Sequence, residues 1–459
     1  MKKLAGFINI SKRLGVLLLA AVIVFSVSAC SSTGSQTDTG SQTDSGPQTD
    51  TGSQASNNTT VDTGNAAKDE KITLTLWDAW PGDPQNSLMN EIVKEWNDTH
   101  PNVQVERSAT ANDPYKTKIK TAVAADEAPD VFFSWPQGFS KPFVDAGKVL
   151  PIDEYITDEI KAQILPGALV EFDGKVYGIC CTQQVGTFFV NTEILSQNNL
   201  PVPKTFDELV EVSKALKDKG IVALAVGEKD LWPGMWYYDA IALRMAGPET
   251  VVKALNKEAS FNTEPFIKAA EKLQQLVEAG AFDPNVLGIS RDESEVAFFS
   301  GKVAMYYGLN SAGGKVKGSP VEGKIEVYPF PAISDGVDQT SYVGGGAVTF
   351  LASSKTKYPE EAANLAIYLS HSVSDKFFLT GNALPMWDYS KFDQSKLDPL
   401  QLKIMETIAK PAEGKVSAWD IYLEGDDAQT HKELVAEIFG GRITPEEFAQ
   451  RMQTALNEK

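Results

Sequence analysis

Apolar residues along the chain recur in two rhythms. Short runs have every second residue, or every residue, apolar. Longer segments carry them three and four positions apart, as one face of a helix requires. Ile72 to Trp77 alternates as a strand and ends in the loop Asp78-Ala79-Trp80-Pro81-Gly82-Asp83. Leu88, Met89, Ile92, Val93 and Trp96 then share a helical face, which stops at His100-Pro101. Val103 and Val105 read as a second strand. Pro114 opens a helix carrying Tyr115, Ile119, Ala122 and Val123. Val131 to Phe133 is a third strand, followed by the turn-rich Trp135-Pro136-Gln137-Gly138. Strand, helix, strand, helix, strand implies a parallel sheet with crossover helices.

The pattern restarts further on. Asp173-Gly174 is a hairpin signal leading into VYGICCTQQVGTFFVN, which reads as two apolar strands parted near Gln183, Gln184 and Gly186. Thr205 and Glu208 form a capping box ahead of a helix with Leu209, Val210, Ser213 and Leu216 inward. Ile221 to Val226 is a buried strand, and Met235 to Asp239 enters a helix. Helices follow at Phe266 to Val277, Pro359 to Leu369 and Pro445 to Leu456, with strands at Val303 to Tyr307 and Val343 to Leu351. Trp77, inside a strand, and Trp96, on an apolar helical face, are expected in the core.

The N-terminus follows neither rhythm. Lys2, Lys3, Lys12 and Arg13 precede an apolar run from Gly15 to Val27, short for a membrane span. It ends in Val27-Ser28-Ala29-Cys30, which resembles the lipobox of bacterial lipoproteins. Residues 1–29 are thus expected to be a signal peptide and Cys30 the lipidated residue. Residues 30–70 are low in complexity, with GSQTDT at Gly34 returning as GSQTDS and GPQTDT. Such a stretch buries too little apolar surface to fold and reads as a disordered tether.

Net charge is −19, which disfavours nucleic acid, a partner that needs a basic footprint. With Cys 3 in the chain, only the adjacent Cys180 and Cys181 remain beside Cys30. They are expected to be small hydrophobes in a buried strand, with no disulfide framework. His100, His371 and His431 fit no metal-ligand or triad spacing, so neither a metal, a cofactor nor a catalytic residue is expected.

Several stretches together carry a resemblance. They are APDVF (128–132), F-x-D-A-G-x-x-x-P-I-D (143–153), GKVYGI (174–179), FVNTEIL (189–195), PVPKTFDEL (201–209), FFSGKVAMYYG (298–308), SSKTKYPEEAANLAIYL (353–369) and TPEEF (444–448). In this order the chain resembles the extracellular solute-binding proteins of carbohydrate ABC importers, from about 71 to 458. FFVNTEIL departs from relatives by Phe and Thr where Tyr and Lys are common, and Cys180-Cys181 stands where a Pro often follows. The resemblance implies an α/β, two-lobed periplasmic-binding-protein-like fold of type II, with lobes 71–183 plus 345–378 and 184–344 plus 379–459 and a hinge between them. It also implies a monomer held on the extracytoplasmic face of the membrane by its lipid. Such a protein captures a sugar and docks on ABC-importer permease subunits.

A sugar offers apolar ring faces and a rim of hydroxyls, so its site needs aromatic rings flanked by amides and carboxylates. Of Trp 8 in the chain, several lie in loops after strands. Trp80 stands near Asp83, Trp135 near Gln137, Trp232 and Trp236 near Asp239, and Tyr307 near Asn310. Trp387 is beside Asp388, and Gln183 sits at the strand break. Gly345, within Gly344-Gly345-Gly346, would let backbone approach the ligand or serve the hinge, and a hinge-adjacent loop is favoured over a phosphate cradle. Replacing Trp232 or Trp236 by Ala is expected to weaken binding and to spare the melting temperature. A polyol, a glycerophosphodiester or a uronide is the alternative ligand; the charged ones call for cations, with Arg244 and Arg291 as candidates. A surface glycoside hydrolase would need two carboxylates flanking a bond, and no pair stands out.

Overall fold

The computed structural model describes residues 71–457. Residues 1–70, where a signal peptide, a lipidated Cys30 and a tether are expected, lie outside the described residues. Strands β1 (Ile72–Asp78), β2 (Val103–Ala109), β3 (Val131–Ser134), β4 (Leu169–Phe172), β5 (Lys175–Asn191), β6 (Val222–Ala225), β7 (Val303–Leu309), β8 (Ile325–Tyr328) and β9 (Tyr342–Ala352) build the sheet. Its order is β2-β1-β3-β9-β5-β7-β6. β1 lies parallel to β2 and β3, and β6 parallel to β7, as the alternation of strand and helix demands. β9 is antiparallel to β3 and to β5.

The principal helices are α1 (Gln85–Thr99), α2 (Asn112–Ala124), α3 (Phe206–Lys217), α4 (Trp232–Ala246), α5 (Glu264–Glu278), α6 (Arg291–Phe299), α7 (Pro359–Leu379), α8 (Gly425–Phe439) and α9 (Pro445–Asn457). α1 buries Met89, Ile92, Val93 and Trp96, the face read from the sequence. Trp96 donates Nε1–H to the Val103 carbonyl at 2.9 Å, and the His100 ring stacks on it at 3.8 Å. Trp77 is only half-buried, with the Lys118 ammonium 3.7 Å from its ring centre. Both halves of the Thr205–Glu208 capping box form at the start of α3. α7 runs past Leu369 because Ser370, Val373, Ser374, Phe377 and Phe378 extend its buried face.

Two expectations need correction. VYGICCTQQVGTFFVN is not two strands but part of one, β5, of 17 residues. Its first part pairs with β4, Cys180 to Val185 with β9, and Gly186 to Val190 with β7. β5 therefore carries backbone pairing from one half of the sheet into the other. The glycine triplet is likewise strand rather than loop: Gly344, Gly345 and Gly346 pair with Val185, Gln184 and Gln183. Gly344 and Gly345 hold φ of 149° and 141°, and a Cβ on Gly344 would collide with the Gln184 carbonyl. Cys180 and Cys181 are buried free thiols, and burial pushes Cys180 up to about 12.

Candidate functional site

The loops after β1, β2, β3, β6 and β7 open into one cleft of about 850 Å³. These are the carboxyl ends of strands paired in parallel, where open α/β sheets leave a crevice for ligands. The volume is in the range of small-molecule sites. Thr182, Gln183 and Gln184 of β5 and Val348 of β9 run beneath it.

One wall comes from β1 to β3. Trp80 is half-buried, its ring 4.9 Å from Phe133 and 4.9 Å from Phe377. Its loop is fixed from below. Arg107 grips the buried Asp78 carboxylate with Nε at 2.5 Å and Nη2 at 2.9 Å, and Nη2 also donates to the Trp80 carbonyl at 2.9 Å. Burial raises the Asp78 carboxyl above its usual range against the pull of Arg107. Trp135 sits edge-on to Phe133 at 4.8 Å, with the Lys116 ammonium 5.0 Å from its ring centre. Asp83 accepts the Ser87 N–H at 3.1 Å and its hydroxyl at 2.7 Å.

The opposite wall comes from β6 and β7. Glu228, wholly buried, takes the Gly234 N–H at 2.7 Å and so caps α4; burial holds its carboxyl well above the usual range. Leu231, before Trp232, has φ of 65°, a conformation costly for a residue with a side chain. Trp232 is half-buried, and the Arg291 guanidinium lies 5.5 Å from its ring centre. Arg291 is paired with the buried Glu295 at 2.7 Å, and Lys315 reaches the same carboxylate at 2.5 Å. Lys116 meets Asp420, also in the lining, at 3.5 Å.

Residues 81–370 match the family described as bacterial extracellular solute-binding protein. This chain belongs to that family. The solute-binding protein is 22% identical to the multiple sugar-binding protein of Streptococcus mutans, over 73% of this chain and 80% of the relative. It is 21% identical to the melibiose/raffinose/stachyose-binding protein of Bacillus subtilis, over 73% of this chain and 82% of the relative. A solved structure described under xylan utilization by the thermophilic bacterium Caldanaerobius polysaccharolyticus is 48% identical, with a TM-score of 0.82 over 84% of this chain and all of that one. A chitin oligosaccharide binding protein, 23% identical with a TM-score of 0.78 over 84% of this chain and 98% of that one, shares the fold.

Of the residues singled out in the sequence, Trp80, Asp83, Trp135, Gln183, Trp232, Trp236 and Asn310 line the cleft of the solute-binding protein. Trp236 is 2% exposed, because α4 begins at Trp232 rather than at Met235 and draws the next turn into the core. Asn310 is a cross-tie: its Oδ1 accepts the Val185 N–H at 3.0 Å, and its Nδ2 donates to the Gln183 carbonyl and to Gln401, each at 3.3 Å. Gln183 donates to the Tyr342 hydroxyl at 2.6 Å.

The other candidates lie elsewhere. Gln137 is exposed on a turn, outside the cleft lining. Asp239 is buried in α4, where it accepts the Trp419 N–H at 3.0 Å and pairs with His431 at 2.9 Å. Tyr307 is within β7, packed on Phe330 and Tyr237 at 4.8 and 5.6 Å. Gly345 is locked in strand pairing. Trp387 donates to the Ser370 hydroxyl at 2.9 Å and stacks on His371 at 4.6 Å, inside a separate apolar cluster. Asp388 turns back to Ser390. Arg244, offered for a charged ligand, is buried against the Phe330 and Ser341 carbonyls and is not part of the lining.

Cleft residues that the sequence reading passed over are Gln85, Asn112, Asp113, Lys116, Ser290, Asp292, Glu295, Lys315, Asn382 and Asp420; Asp230, close by the Trp232–Trp236 pair, and Gln184, at the expected strand break, line it too. Asn112-Asp113 had a signal, lying between a strand and a helix. So had Ser290-x-x-Glu293, a capping box that forms here at the start of α6. Asp420 had none, since it returns from the far end of the chain. Among the described residues no cluster of His, Cys, Asp or Glu is suited to hold a metal ion.

Proposed function

We propose that this protein captures a neutral oligosaccharide of the kind released from xylan and delivers it to the permease of an ABC importer. The observation that carries the reading is the cleft, in which Trp80, Trp135, Trp232 and Trp236 border a space of oligosaccharide size among polar side chains. Indoles stack on apolar ring faces, and Gln85, Asn112, Gln184 and Ser290 offer hydrogen bonds to hydroxyls. The choice of xylan is supported by the 48% identity to the structure described under xylan utilization. No covalent step belongs to this function. Cys30 carries the lipid that holds the protein, as a monomer, on the extracytoplasmic face of the cell membrane.

An anionic ligand is less well served. Asp83, Asp113, Asp230, Asp292, Glu295 and Asp420 outnumber Lys116, Arg291 and Lys315 in the lining. The test is a titration of the purified protein with xylo-oligosaccharides, and with malto-, chito- and cello-oligosaccharides beside them. Tryptophan fluorescence and melting temperature are followed together. Saturable binding of the xylose series, with the sugar recovered intact, is the expected result. Binding confined to another series would remove xylan, and release of shortened products would overturn the transport reading.

A further inference from the structure

Gln184 is a polar residue of β5 that the fold itself leaves unused. A polar side chain in the middle of a central strand is out of place unless something engages it. Its neighbour Gln183 is engaged, donating to the Tyr342 hydroxyl at 2.6 Å. Among the described residues nothing hydrogen-bonds the Gln184 amide, and neither amide atom is one of the buried unpaired ones, so both stay open to solvent. The opening is the cleft. On either side of the two glutamines, Gly178 to Thr182 and Val185 to Asn191 are buried, and Gln184 belongs to the lining. The residue paired with it on β9 is Gly345, which brings no side chain to cover it. Asn310 pins the backbone on both sides of Gln184: it accepts the Val185 N–H at 3.0 Å and donates to the Gln183 carbonyl at 3.3 Å. A side chain carried on a strand fixed in this way is held in place more firmly than one on a loop.

We infer that Gln184 is a specificity-determining residue of the cleft, whose amide reads two neighbouring hydroxyls on one sugar ring. The inference rests on the sugar-binding reading. An amide carries a donor and an acceptor side by side in one plane. Nε2 donates to one hydroxyl oxygen, and Oε1 accepts the proton of the next. A carboxylate, which has no proton to give, would leave Oε1 unanswered. In a chain of xylose joined through carbons 1 and 4, each inner ring keeps adjacent hydroxyls on carbons 2 and 3. A branch or an ester on either one would leave an amide atom without its partner. The ring held by Gln184 is therefore an undecorated one.

Gln184→Met tests this, since methionine keeps the length of the side chain and removes donor and acceptor alike. Affinities of the wild type and the variant are measured by calorimetry for xylotriose, and for xylotrioses lacking one hydroxyl at a time, on carbon 2 or carbon 3 of each ring. The expected result is an affinity for xylotriose about 10-fold weaker in the variant, two neutral hydrogen bonds lost. The wild type binds both deoxy sugars of at least one ring more weakly than xylotriose. The variant no longer tells that pair from xylotriose, a change that a merely structural effect would not produce. The unliganded melting temperature stays unchanged. If Gln184→Met lowers it, Gln184→Ala takes its place, with the same loss expected. Wild-type affinity in the informative variant, or a variant that keeps the wild type's penalty at either carbon of every ring, overturns the inference alone. A wild type that binds no neutral oligosaccharide overturns the sugar reading with it.

Discussion

Trp232 and Trp236 are four positions apart on one helix and differ in what they hold together. Trp232 is half-buried beside Arg291, whereas Trp236 is 2% exposed. Trp232→Ala should weaken sugar binding about 10-fold or more and move the unliganded melting temperature little, as read by titration and calorimetry. Trp236→Ala should cost about 3–5 kcal/mol of stability, read by urea unfolding. The expectation that both spare the fold is therefore kept for the first position only. The motif was legible, but the split between the two rings depends on where α4 starts. A Pro-Gly pair reads as loop, yet here it forms the first turn because Glu228 caps it.

Asp239 carries a dependence on pH. Burial raises its carboxyl to about 6, while His431 and the Trp419 N–H pull it down. The native state thus holds this proton where the unfolded chain, with an ordinary carboxyl near 3.8, has released it. Asp239 contributes most below pH ~4, and the contribution fades as pH rises to about 6. Between those limits the wild type should lose on the order of 2–3 kcal/mol more than Asp239→Asn. Urea unfolding of both proteins at steps across that window measures the difference.

At the scale of elements, the strand–helix alternation was readable because each helix buries one face, as α1 and α3 do. The continuity of β5 was not. Gln183-Gln184 in the middle of an apolar run looks like a break. A central strand tolerates them because Gln183 bonds the Tyr342 hydroxyl and both border the open cleft. Beside them β9 runs through Gly344, whose φ of 149° no side chain adopts readily. Gly344→Ala should destabilise the protein by about 1–3 kcal/mol or more, through backbone strain and collision with Gln184. Hydrogen exchange should locate the loss in the Gln183–Val185 pairing. Gly147, at φ of 67° on the surface with nothing within 4 Å, is the control, where the collision is absent.

Across the whole molecule, the cleft joins loops far apart in sequence. The run of motifs from APDVF to TPEEF gave the architecture, but it could not bring Asp420 to Lys116. That pair meets because Trp419 is tied to Asp239 of α4, which sets the next residue, Asp420, beside Lys116 of α2. The pair is mostly shielded, at 21% and 10% exposure, and both residues line the cleft. Lys116→Ala should reduce affinity by about 0.2–1 kcal/mol. Stopped-flow fluorescence should find the change mainly in the rate of release, and added salt should shrink it.

The unbroken course of β5 limits how this molecule can be cut and rebuilt. Severing the chain between 183 and 184 would leave each fragment with a truncated strand and no partner for half of β9, so neither piece is a sound unit for separate expression. The Asp173-Gly174 turn is different: it is exposed, and a Cβ on Gly174 would meet nothing within 4 Å. A fluorescent protein grafted there would report on the sugar from outside the frame, leaving the ribbon that joins the halves intact.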